Sequence, residues 1–136
     1  MTAALVDTDV LSLLYKRDSR ASLYESHVAG RLLGISFMTL AELERWAIER
    51  SWGAWRRWEL ADFLKKFIIL PANRELCCQW GEVSFQGRQR GRPIQTADAW
   101  IAATALLYEV PLITHNRRDY EGIAGLELIS EPSSSG

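Results

Sequence analysis

Short apolar runs alternate along this chain with longer stretches whose apolar residues recur every three or four positions, and that pattern predicts strand followed by helix, repeated. Ala3 to Val6 is an apolar run ending in Asp7, and Val10, Leu11, Leu13 and Leu14 follow it at helical spacing. Leu33 to Phe37 predicts a second strand, after which Thr39 is placed to cap a helix that turns Leu40, Leu43 and Ala47 inward. Trp46 to Phe67 reads as two helices broken near Trp52 and Gly53, and Phe67 to Leu70 as a strand stopped by Pro71. Asn73 opens a helix running to about Gly87, and Gly87 to Pro93 is a polar loop carrying arginines.

Thr96 is expected to cap the stretch Ala97 to Tyr108, which is apolar on nearly every face and so belongs in the middle of a domain. Val110 to Thr114 reads as a buried strand, His115 to Asp119 as a loop, and Leu126 to Ile129 as the last strand. Alternating strands and helices call for a parallel sheet covered on both faces, because parallel neighbours need crossover connections. At 136 residues and 15.5 kDa the chain suits one compact domain over residues 1–130, with 131–136 expected as a flexible tail.

Hydrophobic residues at 48% and charged residues at 24% are close to globular averages, which disfavours a disordered or fibrous class. No apolar run reaches the ~18 residues of a membrane span, and the start lacks the basic and small-residue marks of a signal peptide, so a cytoplasmic protein without a membrane partner is expected. Cys77 and Cys78 are adjacent, which disfavours a bridge between them; buried free thiols are expected instead. Their spacing to His27 and His115 offers no zinc-ligand pattern. A net charge of -1 does not announce a nucleic-acid binder, yet Arg88, Arg90 and Arg92 sit among glycines and Arg117 precedes Arg118. Such forks suit phosphate oxygens, and they equally suit a solvated helix end.

Four acidic residues stand where predicted strands end or helices begin: Asp7, Glu42, Asp98 and Asp119. In an open parallel sheet, ligands bind beyond the carboxyl ends of the strands, and all four can converge there. Carboxylates gathered in one cleft repel one another unless a cation neutralises them, and hard oxygen donors select Mg²⁺ or Mn²⁺. The chemistry implied is phosphodiester hydrolysis by activated water. Taken singly, each has a plainer reading. Glu42 follows Thr39 at capping-box distance, Asp98 favours a helix dipole, and Asp7 and Asp119 are ordinary turn residues. Asp7 is the exception in strength, since Asp9 places a second carboxylate close behind it.

The segments Leu5-Val-Asp7-Thr-Asp9-Val-Leu, Thr39-Leu-Ala-Glu42-Leu, Asp98-Ala-Trp-Ile-Ala-Ala-Thr-Ala and Leu112-Ile-Thr114-His-Asn116-Arg-Arg-Asp119-Tyr resemble, in order and spacing, the motifs of PIN-domain nucleases. More narrowly, the chain resembles VapC-type toxins of type II toxin-antitoxin pairs over residues 3 to 129. The resemblance implies a three-layer α/β fold with a central parallel sheet of four or five strands flanked by helices. It implies a Mg²⁺- or Mn²⁺-dependent endoribonuclease, a homodimer, an RNA substrate and a cognate antitoxin that blocks the cleft. By position, Asp7, Glu42 and Asp98 match the family's metal-binding acids. The fourth is assigned to Asp119, with Asn116 as a supporting contact, because the family places an acid at either position. Thr8 and Thr114 are candidates to orient a carboxylate or water, and Arg88, Arg90, Arg92 and Arg117 to hold RNA. Asp9 departs from the family, which more often has asparagine there.

Trp46, Trp52, Trp55 and Trp58 form an aromatic group partly at helical spacing, for which core packing or a partner surface is favoured over stacking on RNA bases. Two other functions compete. A catalytically degenerate PIN fold would act as a binding module with its partner. A haloacid-dehalogenase-like phosphatase would use Asp7-Thr-Asp9 as its nucleophile motif, but the chain lacks that family's late acidic dipeptide and leaves little room for a cap.

Overall fold

A computed structural model describes residues 2–131. Strand β1 (Ala3–Val6) leads into helix α1 (Thr8–Lys16), and a 3₁₀ turn over Ser19–Leu23 and a short helix α2 (Glu25–Val28) return the chain to β2 (Leu32–Ser36). Helices α3 (Phe37–Glu49) and α4 (Ala54–Leu64) precede β3 (Ile68–Leu70). Helices α5 (Arg74–Gln89) and α6 (Thr96–Leu107) then carry the chain to β4 (Leu112–Ile113), a 3₁₀ turn at Arg117–Asp119 and β5 (Leu128–Ile129). The sheet runs β3-β2-β1-β4-β5 and every pairing is parallel. This is the five-strand form of the expected α/β architecture.

Side-chain alternation along the central strands divides the interior into two cores. Ala4 and Val6 of β1 and Ile113 of β4 face one way, onto Val10 and Leu11 of α1, Leu43 of α3 and Leu60 and Leu64 of α4. Leu5 and Leu112 face the other way, onto Leu76 and Val83 of α5 and the buried alanines of α6. A period of two along a strand requires this division, and it explains why the strands read as continuous apolar runs. Helix α6 is buried almost throughout from Ala99 to Ala105, as its uniform apolar character predicts.

Several local expectations need correction. Helix α3 begins two residues before Thr39, and its cap is Ser36, whose hydroxyl accepts from the Met38 N–H at 3.0 Å. Thr39 is buried and bonded to Thr8. Glu42 is therefore not the partner in a capping box. Helix α6 is flanked by Gln95, which makes no side-chain cap, and Thr96 is its first residue. Helix α5 continues to Gln89, so Arg88 belongs to its last turn rather than to a loop.

Cys77 and Cys78 are free but exposed, because Leu76 and Val83, two turns apart, take the inward stripe of α5. Trp55 and Trp58 stack on each other at 5.3 Å between centroids and are 71% and 57% exposed, so they are not core; Trp46 and Trp52 are half-buried against the first core. The expected tail falls on residues 132–136, outside the described residues, apart from Glu131. Its N–H donates to the Tyr24 hydroxyl at 3.3 Å, and its carboxylate lies 2.5 Å from His27 Nε2. Among the described residues no helix is long and apolar enough to cross a membrane.

Ile35 and Ile69 sit opposite each other on β2 and β3, yet Ile35 is fully buried and Ile69 is 42% exposed. Ile35→Ala is expected to cost about 2–5 kcal/mol, against under about 1 kcal/mol for Ile69→Ala. Urea unfolding of the two variants measures the difference.

Candidate metal centre

The sheet changes winding direction at β1, whose chain continues to β2 on one side while β4 is reached only after the long crossover through α5 and α6. A crevice opens at the carboxyl end of such a strand because the connections leave in opposite directions. Asp7 is the residue just beyond that end. Its backbone N–H still donates to the Ile113 carbonyl at 3.1 Å, and its carboxylate caps α1 by accepting from the Val10 N–H at 2.9 Å. It is 2% exposed.

Burial pushes the Asp7 carboxyl from 3.8 up to about 7, in spite of hydrogen bonds from the Thr114 hydroxyl and the Val10 N–H that pull it down; the charges of Asp9 and Asp98 push it further up. Asp98, in the first turn of α6, is raised from 3.8 to about 6. Burial is again the main cause, followed by the charge of Asp119, and Glu42 and Asp9 add to it. These are acids whose ionised forms lack compensating positive charge.

Neutral groups hold the acids in place. The Thr8 hydroxyl donates to Glu42 Oε1 at 2.8 Å, which spends its only proton, so at the 2.9 Å Thr8–Thr39 contact the Thr39 hydroxyl donates. Thr114, at the end of β4, bonds Asp7 and also accepts the Asn116 N–H at 3.0 Å. The Asn116 side chain donates to Asp9, on the exposed side of the cluster. The Tyr120 hydroxyl donates to Asp98 Oδ1 at 3.3 Å; burial, then the charges of Asp7, Asp98 and Asp9, hold that phenol protonated far above the ordinary range.

The sequence-predicted acids are thus neighbours in charge, though unequally placed. Asp7 lies deepest, Glu42 is tied down by Thr8, Asp98 is half-buried, and Asp119 is exposed beside Asp98. Among the described residues no three acidic, histidine or cysteine side chains close on one point tightly enough to hold an ion by themselves. The donor set nonetheless fits a hard divalent cation. All of it is carboxylate oxygen, two members are destabilised as anions by burial and then by neighbouring acids, and Mg²⁺ characteristically keeps several waters and takes only one or two carboxylates directly.

Arg90, Arg92 and Arg118 line a cleft of ≈ 240 Å³ with Asp98 and Asp119. Arg88 and Arg117 are exposed and do not line it. Three participants stand outside the set of site residues predicted from the sequence. Tyr120 carries no signal beyond following Asp119, Arg118 is masked by its neighbour Arg117, and Thr39 looks like a cap until its helix is seen to start earlier.

The sequence model of the PIN domain matches residues 4–126. Ribonuclease VapC1 of Haemophilus influenzae (strain R2866) is 30% identical over 129 residues, covering 90% of this chain and 93% of that protein. VapBC2 from Rickettsia felis, solved with a DNA fragment from its promoter, superposes with a TM-score of 0.84 at 22% identity, covering 96% of this chain and 100% of that one. A toxin-antitoxin complex from Klebsiella pneumoniae gives 0.68 at 28% identity over 93% and 96% of the two chains. With the family's sequence pattern spanning residues 4–126 and a VapC relative matching over 90% of this chain, this chain belongs to the PIN-domain family, among its VapC-type members.

Proposed function

We propose that the protein is a divalent-metal-dependent endoribonuclease and the toxin of a toxin-antitoxin pair. The observation that carries this reading is the buried Asp7, set among Asp9 and Asp98 with its carboxyl raised to about 7. A fold has little reason to bury a carboxylate among like charges unless a cation offsets them. A relative at 30% identity bears the name Ribonuclease VapC1 and a structural neighbour is a toxin-antitoxin complex, which supports the same assignment.

In this reading Asp7 and Asp98 hold the ion, Glu42 and Asp119 complete its charge balance, and the all-oxygen set favours Mg²⁺ or Mn²⁺. A divalent ion held there would supply Lewis acidity, lowering the pKa of water so that hydroxide is available near neutral pH and offsetting charge on the phosphate and the leaving oxygen. The chain's own side chains do the rest. Thr8 and Thr39 fix Glu42, Thr114 and the Val10 N–H fix Asp7, and Tyr120 fixes Asp98, so the acids lose little freedom on loading. Arg90, Arg92 and Arg118 grip the phosphates of RNA beside Asp98 and Asp119, with Arg88 and Arg117 outside that grip. The protein works in the cytoplasm as a homodimer, and its antitoxin silences it by covering this cleft.

Asp7→Asn and Asp98→Asn are each expected to lower RNA cleavage by more than the roughly 10–100-fold that loss of a supporting partner costs. Both should also relieve growth arrest on induction while leaving the circular dichroism spectrum intact. Undiminished cleavage by either purified variant contradicts the assignment.

The pH dependence has a definite sign. The folded Asp7 titrates near 7 and an unfolded aspartate near 3.8, so between those values the native state binds the proton more tightly. Stability of the metal-free protein therefore falls as pH rises through that window, by an amount on the order of a few kcal/mol. Asp98 acts in the same direction up to about 6. Melting temperature in EDTA should drop from pH 5 to pH 8, and added Mg²⁺ should raise it more at pH 8 than at pH 5. Asparagine caps a helix as well as aspartate does, so Asp7→Asn should flatten the decline and melt above the wild type at pH 8 without metal. A melting temperature independent of pH and of Mg²⁺ would overturn this account.

A further inference from the structure

A second hollow, of ≈ 300 Å³, opens beside Asp9 and Asn116. Trp46 of α3, Leu13 of α1 and His115 wall it, and Lys16 and Arg20 reach it from the end of α1 and the turn that follows. The size lies at the lower end of the range for small-ligand pockets. Its charges are largely spoken for. Arg20 Nε and Nη2 lie 3.0 and 3.1 Å from the two oxygens of Asp18, and Asp9 accepts from Asn116.

Lys16 differs. Among the described residues it forms no salt bridge, and its ammonium lies 5.9 Å from the centroid of the Trp46 ring, within cation–π reach. The ring itself is steadied by the Arg50 guanidinium at 5.0 Å and by packing against the first core. His115 is equally fixed, with Nδ1 2.5 Å from the Tyr24 hydroxyl and the two rings in an edge-on arrangement. Rigid aromatic surface beside a cation that holds no carboxylate in a salt bridge is the combination that a nucleotide uses, the ring for its base and the ammonium for its phosphate.

We propose that this hollow is a nucleotide subsite of the ribonuclease, receiving one unpaired base against Trp46 and an adjoining phosphate at Lys16, next to the phosphate presented to the acids. The proposal rests on the ribonuclease reading and adds Trp46 and Lys16 to the residues that contact its substrate. A base locked in a duplex is stacked on both faces and cannot turn onto a protein ring, so duplex RNA serves as the control for the subsite. Trp55 and Trp58, stacked on each other on α4, line neither this hollow nor the arginine cleft.

The test measures affinity in the full-length Asp98→Asn protein, which does not consume its ligand, with a fluorescent single-stranded oligoribonucleotide and the same sequence annealed as a duplex. Trp46→Leu should weaken single-strand binding by about 5–100-fold, with duplex binding changed less than about twofold. Trp46→Phe, which keeps a π surface, should restore most of the loss, and Lys16→Gln should lower the slope of log affinity against log salt by about one. Unchanged single-strand binding in Trp46→Leu refutes the subsite. So does a loss shared equally by single strand, duplex and melting temperature, which marks Trp46 as structural. Weakened capture of the co-expressed antitoxin with RNA affinity intact refutes it too, assigning the hollow to the protein partner. A wild-type chain that neither binds nor cleaves RNA defeats the ribonuclease reading itself and is a separate result.

Discussion

The carboxylate of Asp7 is removed from water at the end of the central strand, and much of the surrounding structure is arranged around the cost of doing so. A lone buried carboxylate tends to take up a proton, and the nearness of Asp9 and Asp98 strengthens that tendency. Hydrogen bonds from the Val10 N–H and the Thr114 hydroxyl recover only part of the lost hydration. The native state thus keeps an unmet demand for positive charge at one spot, and a divalent cation meets it more completely than any hydrogen bond.

The sheet makes that concentration of charge possible. Both faces of β1 are covered, so Val6 and Leu5 anchor the strand in two separate cores and leave its carboxyl end as the place where the backbone must emerge. The end of β1 brings Asp7, the end of β2 brings Ser36 and the start of α3 with Thr39 and Glu42, and the end of β4 brings Thr114. Helix α6, buried along most of its length, points its first turn and Asp98 into the same crevice. Residues more than a hundred positions apart meet there because parallel strands end at a common level. The threonines of the crevice are neutral, which lets them orient acids without cancelling the charge that an ion requires.

Local signals were dependable where one interaction decides the outcome and misleading where several compete. Asn73 caps α5 and Gly53 lies between α3 and α4, as their residue types suggest. Thr39 has the features of a cap, yet Ser36 is reached first by a chain leaving β2, and Thr39 is then drawn inside to bond Thr8. The cysteines look like core residues by type, but the inward stripe of α5 was already filled by Leu76 and Val83. The same logic separates the tryptophans. Trp46 and Trp52 lean on the first core while Trp55 and Trp58 pair in solvent.

The strand-helix alternation, the two-sided sheet and the order of the acidic motifs were legible in the residues alone, because burial on both faces writes an apolar run, and Asp7 and Asp98 sit beside the end of a strand and the start of a helix. The depth of Asp7, the tie from Thr8 to Glu42, the phenol of Tyr120 on Asp98 and the choice of Arg90, Arg92 and Arg118 over Arg88 and Arg117 were decided only in three dimensions. Desolvation and charge coupling depend on which distant side chains share a crevice. Spacing along a chain carries no direct record of that distance.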